Sequence, residues 1–258
     1  MKKLISIISL IIVFALAAAF YGCGSDEDGS DDKWNSVGSP TPETTAEVNA
    51  TSAPDSQPTV FEVPVERLPD IKHFYYGTKF KFGKYEQDNN KYNGPEDIEW
   101  IVIGFDGDKV LALTCNVLTN LTFNDVMWEK SLWEKCKLRN NLNGQFYAQS
   151  FTDEEKAMIV ESELLTDGKV TKDKVFLLSQ EEVEEYLTTE LSRLCYATDY
   201  AYSMGAYRNE EGFSQWWLRS QFDRNSRVTV VDGKGQFLPN YPFNGGGGVR
   251  PAIWLIPA

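Results

Sequence analysis

The residues with most chemical potential stand late in the chain, in Trp216-Trp217-Leu218-Arg219-Ser220 and Gly248-Val249-Arg250-Pro251. Both segments place a guanidinium inside an apolar run. A guanidinium set against a core needs a partner for its donors; one facing a cleft recognises a carboxylate or a sugar hydroxyl. The first alternative makes Arg139, Arg219 and Arg250 structural buried charges that pin strands together. The second makes Arg219 a ligand contact. Trp216 and Trp217 are adjacent, so on a strand they point to opposite faces. One ring is then expected in the core and the other exposed as a platform for a sugar. Asn244, followed by four glycines, is expected at the rim of such a site. The candidate ligand-binding residues are therefore Trp216, Trp217, Arg219 and Asn244.

Other reactive types are sparse or differently placed. His73 is the only histidine, so a Ser-His, Cys-His or multi-histidine metal mechanism would depend on it alone. Asp153-Glu154-Glu155 and Glu181-Glu182 fall in first helical turns, where carboxylates favour the dipole, and read as solvated faces. Beyond Cys23 the cysteines are Cys115, Cys136 and Cys195. Three cannot form a complete disulfide framework, and no pair has CxxC spacing. One bridge with a free thiol, or three buried thiols, remain open. No catalytic residue, metal set or cofactor site is expected.

The elements that must hold these residues follow from periodicity. Residues 78–85 alternate polar and aromatic side chains as a half-buried strand does. Residues 98–103 and 109–114 are β-branched runs joined through Asp106-Gly107, a hairpin signal. The stretch 88–95 reads as a polar loop. Trp128, Leu132, Trp133 and Cys136 recur near helical spacing. Thr152 with Glu155, and Ser179 with Glu182, are capping boxes that predict helices to about Leu165 and Leu191. Val183, Tyr186, Leu187 and Leu191 form the apolar face of the second. A short buried strand is expected over 173–178, then an aromatic-rich irregular loop with Tyr196, Tyr200, Tyr202 and Tyr207. Strands follow at 216–220, 227–231 and 250–256, with little to order 239–248 between them. This order predicts an α+β domain: an antiparallel sheet, two helices to one side, and long irregular loops.

The N-terminus supplies the compartment. Met1-Lys2-Lys3, an apolar run to Phe20, and Gly22-Cys23 describe an export signal. A Cys at that exit resembles the lipobox of bacterial lipoproteins, which implies cleavage after residue 22 and lipidation of Cys23. An uncleaved anchor is the alternative, although the run is shorter than the ~20 residues of a spanning helix. Residues 23–60 are acidic and rich in Ser, Thr and Pro, the composition of a disordered tether. One globular domain is expected over 61–258. Its 22 bases against 30 acids disfavour nucleic acid as a partner. The expected location is the outer face of a bacterial cell membrane, reached only through the lipid anchor, or alternatively secretion.

The motifs Phe80-Lys81-Phe82-Gly83-Lys84-Tyr85, Leu138-Arg139 with Leu142-Asn143, Trp216-Trp217-Leu218-Arg219-Ser220 and Gly248-Val249-Arg250-Pro251-Ala252 occur in an order that resembles the DUF6273 domain family of Firmicutes surface and secreted proteins. The resemblance covers roughly 78–256 and implies no established activity. A more distant likeness, at fold level only, is to the C-type lectin and formylglycine-generating-enzyme type. Trp217-Leu218-Arg219 stands where a calcium-binding lectin carries Trp-Asn-Asp, so the likeness implies a calcium-independent site. The oxidase branch needs paired cysteines near the last strand, and Cys195 is the final cysteine. The leading expectation is a non-enzymatic ligand-binding domain for a cell-wall or host glycan. A protein-contact module without a small-molecule site is the alternative, and a hydrolase with paired carboxylates is the third.

Overall fold

Alternation of apolar and polar residues builds a meander first. β1 (Lys79–Tyr85), β2 (Glu96–Asp106) and β3 (Lys109–Thr114) pair antiparallel. The Asp106–Lys109 hairpin closes through Gly107-Asp108, and β2 buries Ile98, Trp100, Val102 and Ile103. The computed structural model describes residues 68–125, 132–223 and 226–257. The Cys23 lipobox, the 23–60 tether, the chain to residue 67 and Trp128 lie outside the described residues.

The chain next crosses β4 (Thr119–Asn120) into a helical stretch: α1 (Lys137–Asn141), a π-helical turn (Leu142–Phe146), α2 (Tyr147–Ser150) and α3 (Asp153–Met158). Thr152 and Glu155 make the predicted capping box. The helix does not reach Leu165. Ile159 turns extended and bridges to Leu255, and Val160 N–H donates to the Trp254 carbonyl at 2.9 Å. Residues beyond it form the hairpin β5 (Ser162–Thr166) and β6 (Lys169–Asp173) across Asp167-Gly168. Tertiary pairing and an Asp-Gly turn outweigh the apparent helical period here. Of the segment expected as a strand over 173–178, Asp173 closes β6 opposite Ser162, and the buried residues 175–178 beyond it make a single bridge, from Phe176 to Ala252.

The second capping box, Ser179 with Glu182, starts α4 (Gln180–Tyr186). That helix also stops early, and α5 (Glu190–Arg193) follows after a break. Leu191, expected on the apolar face, is exposed. α6 (Asp199–Ser203) interrupts the aromatic loop. β7 (Trp216–Gln221), β8 (Val228–Val231) and β9 (Phe237–Asn240) then form a meander, and the short β10 (Gly248–Val249) lies between β4 and β7, parallel to β7. β11 (Ala252–Leu255) leaves this second sheet and pairs antiparallel with β3.

The architecture is α+β, dominated by antiparallel pairing. Where one sheet and two helices were expected, the described residues form sheets of four, five and two strands with six α-helices of at most seven residues. The orders are β1-β2-β3-β11 and β4-β10-β7-β8-β9. Arg250-Pro251 is the joint at which the chain passes from one large sheet to the other. Trp100, Trp133, Trp216, Trp217, Phe123 and Phe176 are its largest fully buried side chains. Among the described residues no helix is long and apolar enough to cross a membrane.

Candidate functional site in a cleft along the edge strand

The late tryptophan and arginine segment is a structural core. Trp216 and Trp217 are both 0 % exposed, so neither offers a ring to a ligand, contrary to the expectation from alternation. β7 is covered on both faces, which alternation alone cannot reveal. Trp216 Nε1–H donates to the Arg193 carbonyl at 3.2 Å and Trp217 Nε1–H to that of Leu121 at 2.9 Å. Gly247 packs on the Trp217 ring so closely that a Cβ there would fall 2.0 Å from it. Asn244 is half-buried within its own loop, donating from Nδ2 to Asn240 Oδ1 at 2.7 Å.

The Arg219 guanidinium is 2 % exposed and grips both oxygens of Glu182, with Nη2 to Oε1 at 2.6 Å. Its Nε–H donates to Thr166 Oγ1 at 2.7 Å and Nη1 to the Leu177 carbonyl at 2.7 Å. Glu182, read from sequence as a solvated helix-cap acid, is thus also the partner that makes this burial tolerable. Arg250 is buried and donates from Nε to the Thr114 carbonyl at 2.9 Å and from Nη1 to the Arg193 carbonyl at 3.2 Å, 4.9 Å from the Trp216 ring. Arg139, expected buried, keeps 21 % of its side chain exposed, and the buried charge is its partner Asp173. Asp173 also accepts from Trp133 Nε1, Thr171 Oγ1 and Asn143 Nδ2.

Cys115, Cys136 and Cys195 are all free thiols. Burial pushes Cys115 and Cys136 up to about 12, with Glu99 adding to the effect at Cys115. Burial raises Cys195 as well. None supplies a thiolate near neutral pH. His73 stands in solvent, with Nδ1 2.8 Å from Asp70 Oδ2.

The concave surface lies elsewhere, along β1, which is the edge of the four-stranded sheet. β1 bulges at Gly83, whose φ of +70° and position against the Phe151 ring, 2.6 Å from a would-be Cβ, both demand glycine. Glu155 Oε1 accepts the freed Gly83 N–H at 2.7 Å. An outer cavity of about 730 Å³ and an inner one of about 380 Å³ flank this bulge and share Lys84, Pro95, Gln149 and Ser150 as walls. Their sizes are those of small-ligand sites.

The inner cavity is built from the end of β1, the π turn with α2, and α6. Tyr85 supplies one wall, its ring 5.3 Å from Phe146 and 6.0 Å edge-on from Tyr200. Asn141, Gln145 and Gln149 supply amides, and Glu86 and Ser150 an acid and a hydroxyl. Burial raises the Tyr85 phenol above its ordinary value. Glu86 is raised by desolvation and then by Glu96 and Asp88. The ligand oxygens of these three acids lie within 4.8 Å of one another. Only Glu86 of the three lines the inner cavity, so no pair of these acids faces a ligand there across a gap, as glycoside hydrolysis needs. Such a cluster attracts a cation more readily than it divides acid and nucleophile roles.

Sequence reasoning placed Tyr85 in a strand motif and Tyr200 in an aromatic loop but named neither as a site residue, and it missed Glu86, Gln149 and Ser150 altogether. Glu86, Asp88 and Glu96 bracketing an Asn-rich loop was the one available signal. Nothing marks Ser150, whose importance comes from where the short α2 ends.

A family model described as "Domain of unknown function (DUF6273)" matches residues 107–257. No curated protein and no solved structure matches the chain. The match begins after β2, short of the roughly 78–256 suggested by motifs, so the inner cavity joins Tyr85 and Glu86 from outside it to Gln149, Ser150 and Tyr200 from within. With 107–257 of its 258 residues matched, the chain belongs to the DUF6273 family.

Proposed function

We propose that this chain is a lipid-anchored extracytoplasmic surface protein whose lectin-like domain binds a cell-wall or host glycan in the β1 cleft, through side chains and without calcium. The observation that carries the reading concerns shielded polar atoms. Among the described residues, Glu86 Oε1, Ser150 Oγ and Thr229 Oγ1 have no hydrogen-bond partner, and the first two belong to walls of the same cavity. Shielded polar atoms are ordinarily satisfied, so a paired lapse in a concave site points to a ligand that completes them. Aromatic walls and amides beside them suit a sugar's apolar face and hydroxyls. The lipobox at Cys23 supports the anchor. The lectin likeness draws support from a Trp-bearing β7, a terminal β11 and the long stretch between α5 and β7 that holds only the short α6.

A protein-contact role is the second reading. Tyr202 in α6 and the loop residues Tyr207 and Tyr241 are about half exposed, and Asn120 ties the end of α6 to the glycine loop, through Nδ2 to the Met204 carbonyl at 2.8 Å and Oδ1 from Gly246 N–H at 3.0 Å. A glycan array probed with the full chain in detergent, with calcium and with chelator, tests the first reading. Binding is expected in both conditions and is lost in folded Gln149→Ala and Tyr200→Ala variants. Binding that survives both, or none at all, removes the cleft from consideration.

A further inference from the structure

The inner cavity combines an unclaimed carboxylate oxygen with a sugar-like lining, and the two together narrow the ligand. Asp88 is spoken for: Oδ1 accepts Asn90 N–H and Oδ2 accepts Asn93 Nδ2, each at 2.7 Å. Glu96 Oε2 accepts the N–H groups of Gln87 and Asp88 at 2.7 and 3.3 Å. Of the three acids, only Glu86 has an oxygen, Oε1, that is shielded from solvent and has no hydrogen-bond partner. The Lys84 ammonium reaches 3.7 Å from Asp97 Oδ1, an acid lining the outer cavity. Glu86 is the one acid that lines the inner cavity, and its Oε1 takes no hydrogen bond there. Ser150, only 4 % exposed and likewise unpartnered, is a second vacancy independent of the acids.

A bare metal ion would use the acids but leave Ser150, the Tyr85 and Tyr200 rings and the amides of Gln145 and Gln149 without a role. A neutral sugar would engage those groups and leave the charge of Glu86, the one acid of the three that lines the cavity, without a counter-ion. We propose that the inner cavity takes a sugar unit bearing a free protonated amine, with the Glu86 carboxylate as counter-ion to its ammonium and Ser150 and the glutamines holding its hydroxyls. This rests on the glycan-binding reading above and names the substrate class of the same site. Because the outer cavity continues through Gln149 and Ser150, an oligomer of such units fits better than a monosaccharide.

The test is titration calorimetry on the full chain in detergent with chelator at pH 6. The probes are a β-1,4-linked glucosamine tetramer with free amines, its fully N-acetylated counterpart, and pentalysine. Calcium is titrated separately without chelator. The amine tetramer is expected to bind about tenfold more tightly than the acetylated one, the difference a charge-assisted hydrogen bond supplies. Glu86→Gln, checked for an unchanged melting curve, is expected to reduce that ratio to about two while retaining the acetylated tetramer. Ser150→Ala is expected to weaken both sugars alike. Equal binding of both tetramers overturns the amine inference and leaves the glycan reading standing. Pentalysine binding as tightly as the amine tetramer overturns the sugar part. Calcium binding abolished by Glu86→Gln, with neither tetramer bound, overturns both the inference and the reading beneath it.

Discussion

Two regions of this domain shield a carboxylate and a hydroxyl from water, and they treat them in opposite ways. At the joint of α4, β7 and the β5–β6 hairpin, Glu182 meets both arms of Arg219, and the Thr166 hydroxyl takes the Nε–H. Beside β1, Glu86 Oε1 and Ser150 Oγ have no hydrogen-bond partner. The residue types are nearly the same, so type does not separate scaffold from site. Closure does. A polar cluster whose donors and acceptors all find one another has no capacity left for a ligand, whereas one with vacancies keeps that capacity at a cost in stability.

The sharpest way to break this contrast is to open the closed region. Arg219→Met leaves Glu182 half-shielded without its partner and should destabilise by about 3 kcal/mol, measured by urea unfolding. The double change Arg219→Met with Glu182→Leu should recover part of that loss, because the stranded charge goes too. A single variant with an unchanged midpoint would deny the junction its structural role. The open region should respond in the other direction. Ser150→Ala removes a shielded hydroxyl that bonds to nothing, so stability should hold or rise by up to about 1 kcal/mol; a loss above that would mean the hydroxyl has a structural partner. The smallest effect concerns the thiols. With Cys115 and Cys136 near 12 and Cys195 raised by burial, iodoacetamide at pH 8 should leave all three unmodified in the native protein and label them in urea, as intact mass would record.

The meander of β1 to β3, the helix starts at Thr152 and Ser179, and the strands β7, β8 and β11 were legible because each carries a local signal: alternation, a capping box, or a β-branched run. Helix ends were not. Ile159 and Leu187 leave the helix because of what they pack against, and the Asp167-Gly168 turn competes with a helical period that extends over it. The Arg219 burial was legible from an arginine in an apolar strand, but its partner Glu182 was concealed by a second role as helix cap. Trp216 and Trp217 misled because alternation assumes one wet face, and β7 has none. The cleft was least legible of all, since Glu86, Gln149 and Tyr200 converge from three separate parts of the chain.

The Arg250-Pro251 joint has a consequence for the order in which the molecule can be made. β11 is the last strand to join the four-stranded sheet, beside β3, and it also receives Ile159 and Phe176, while β10 just before it lies between β4 and β7. Neither large sheet is complete until residues 248–255 have left the ribosome. A nascent chain therefore carries its longest-range pairings to the end, which slows folding and keeps strand edges bare meanwhile.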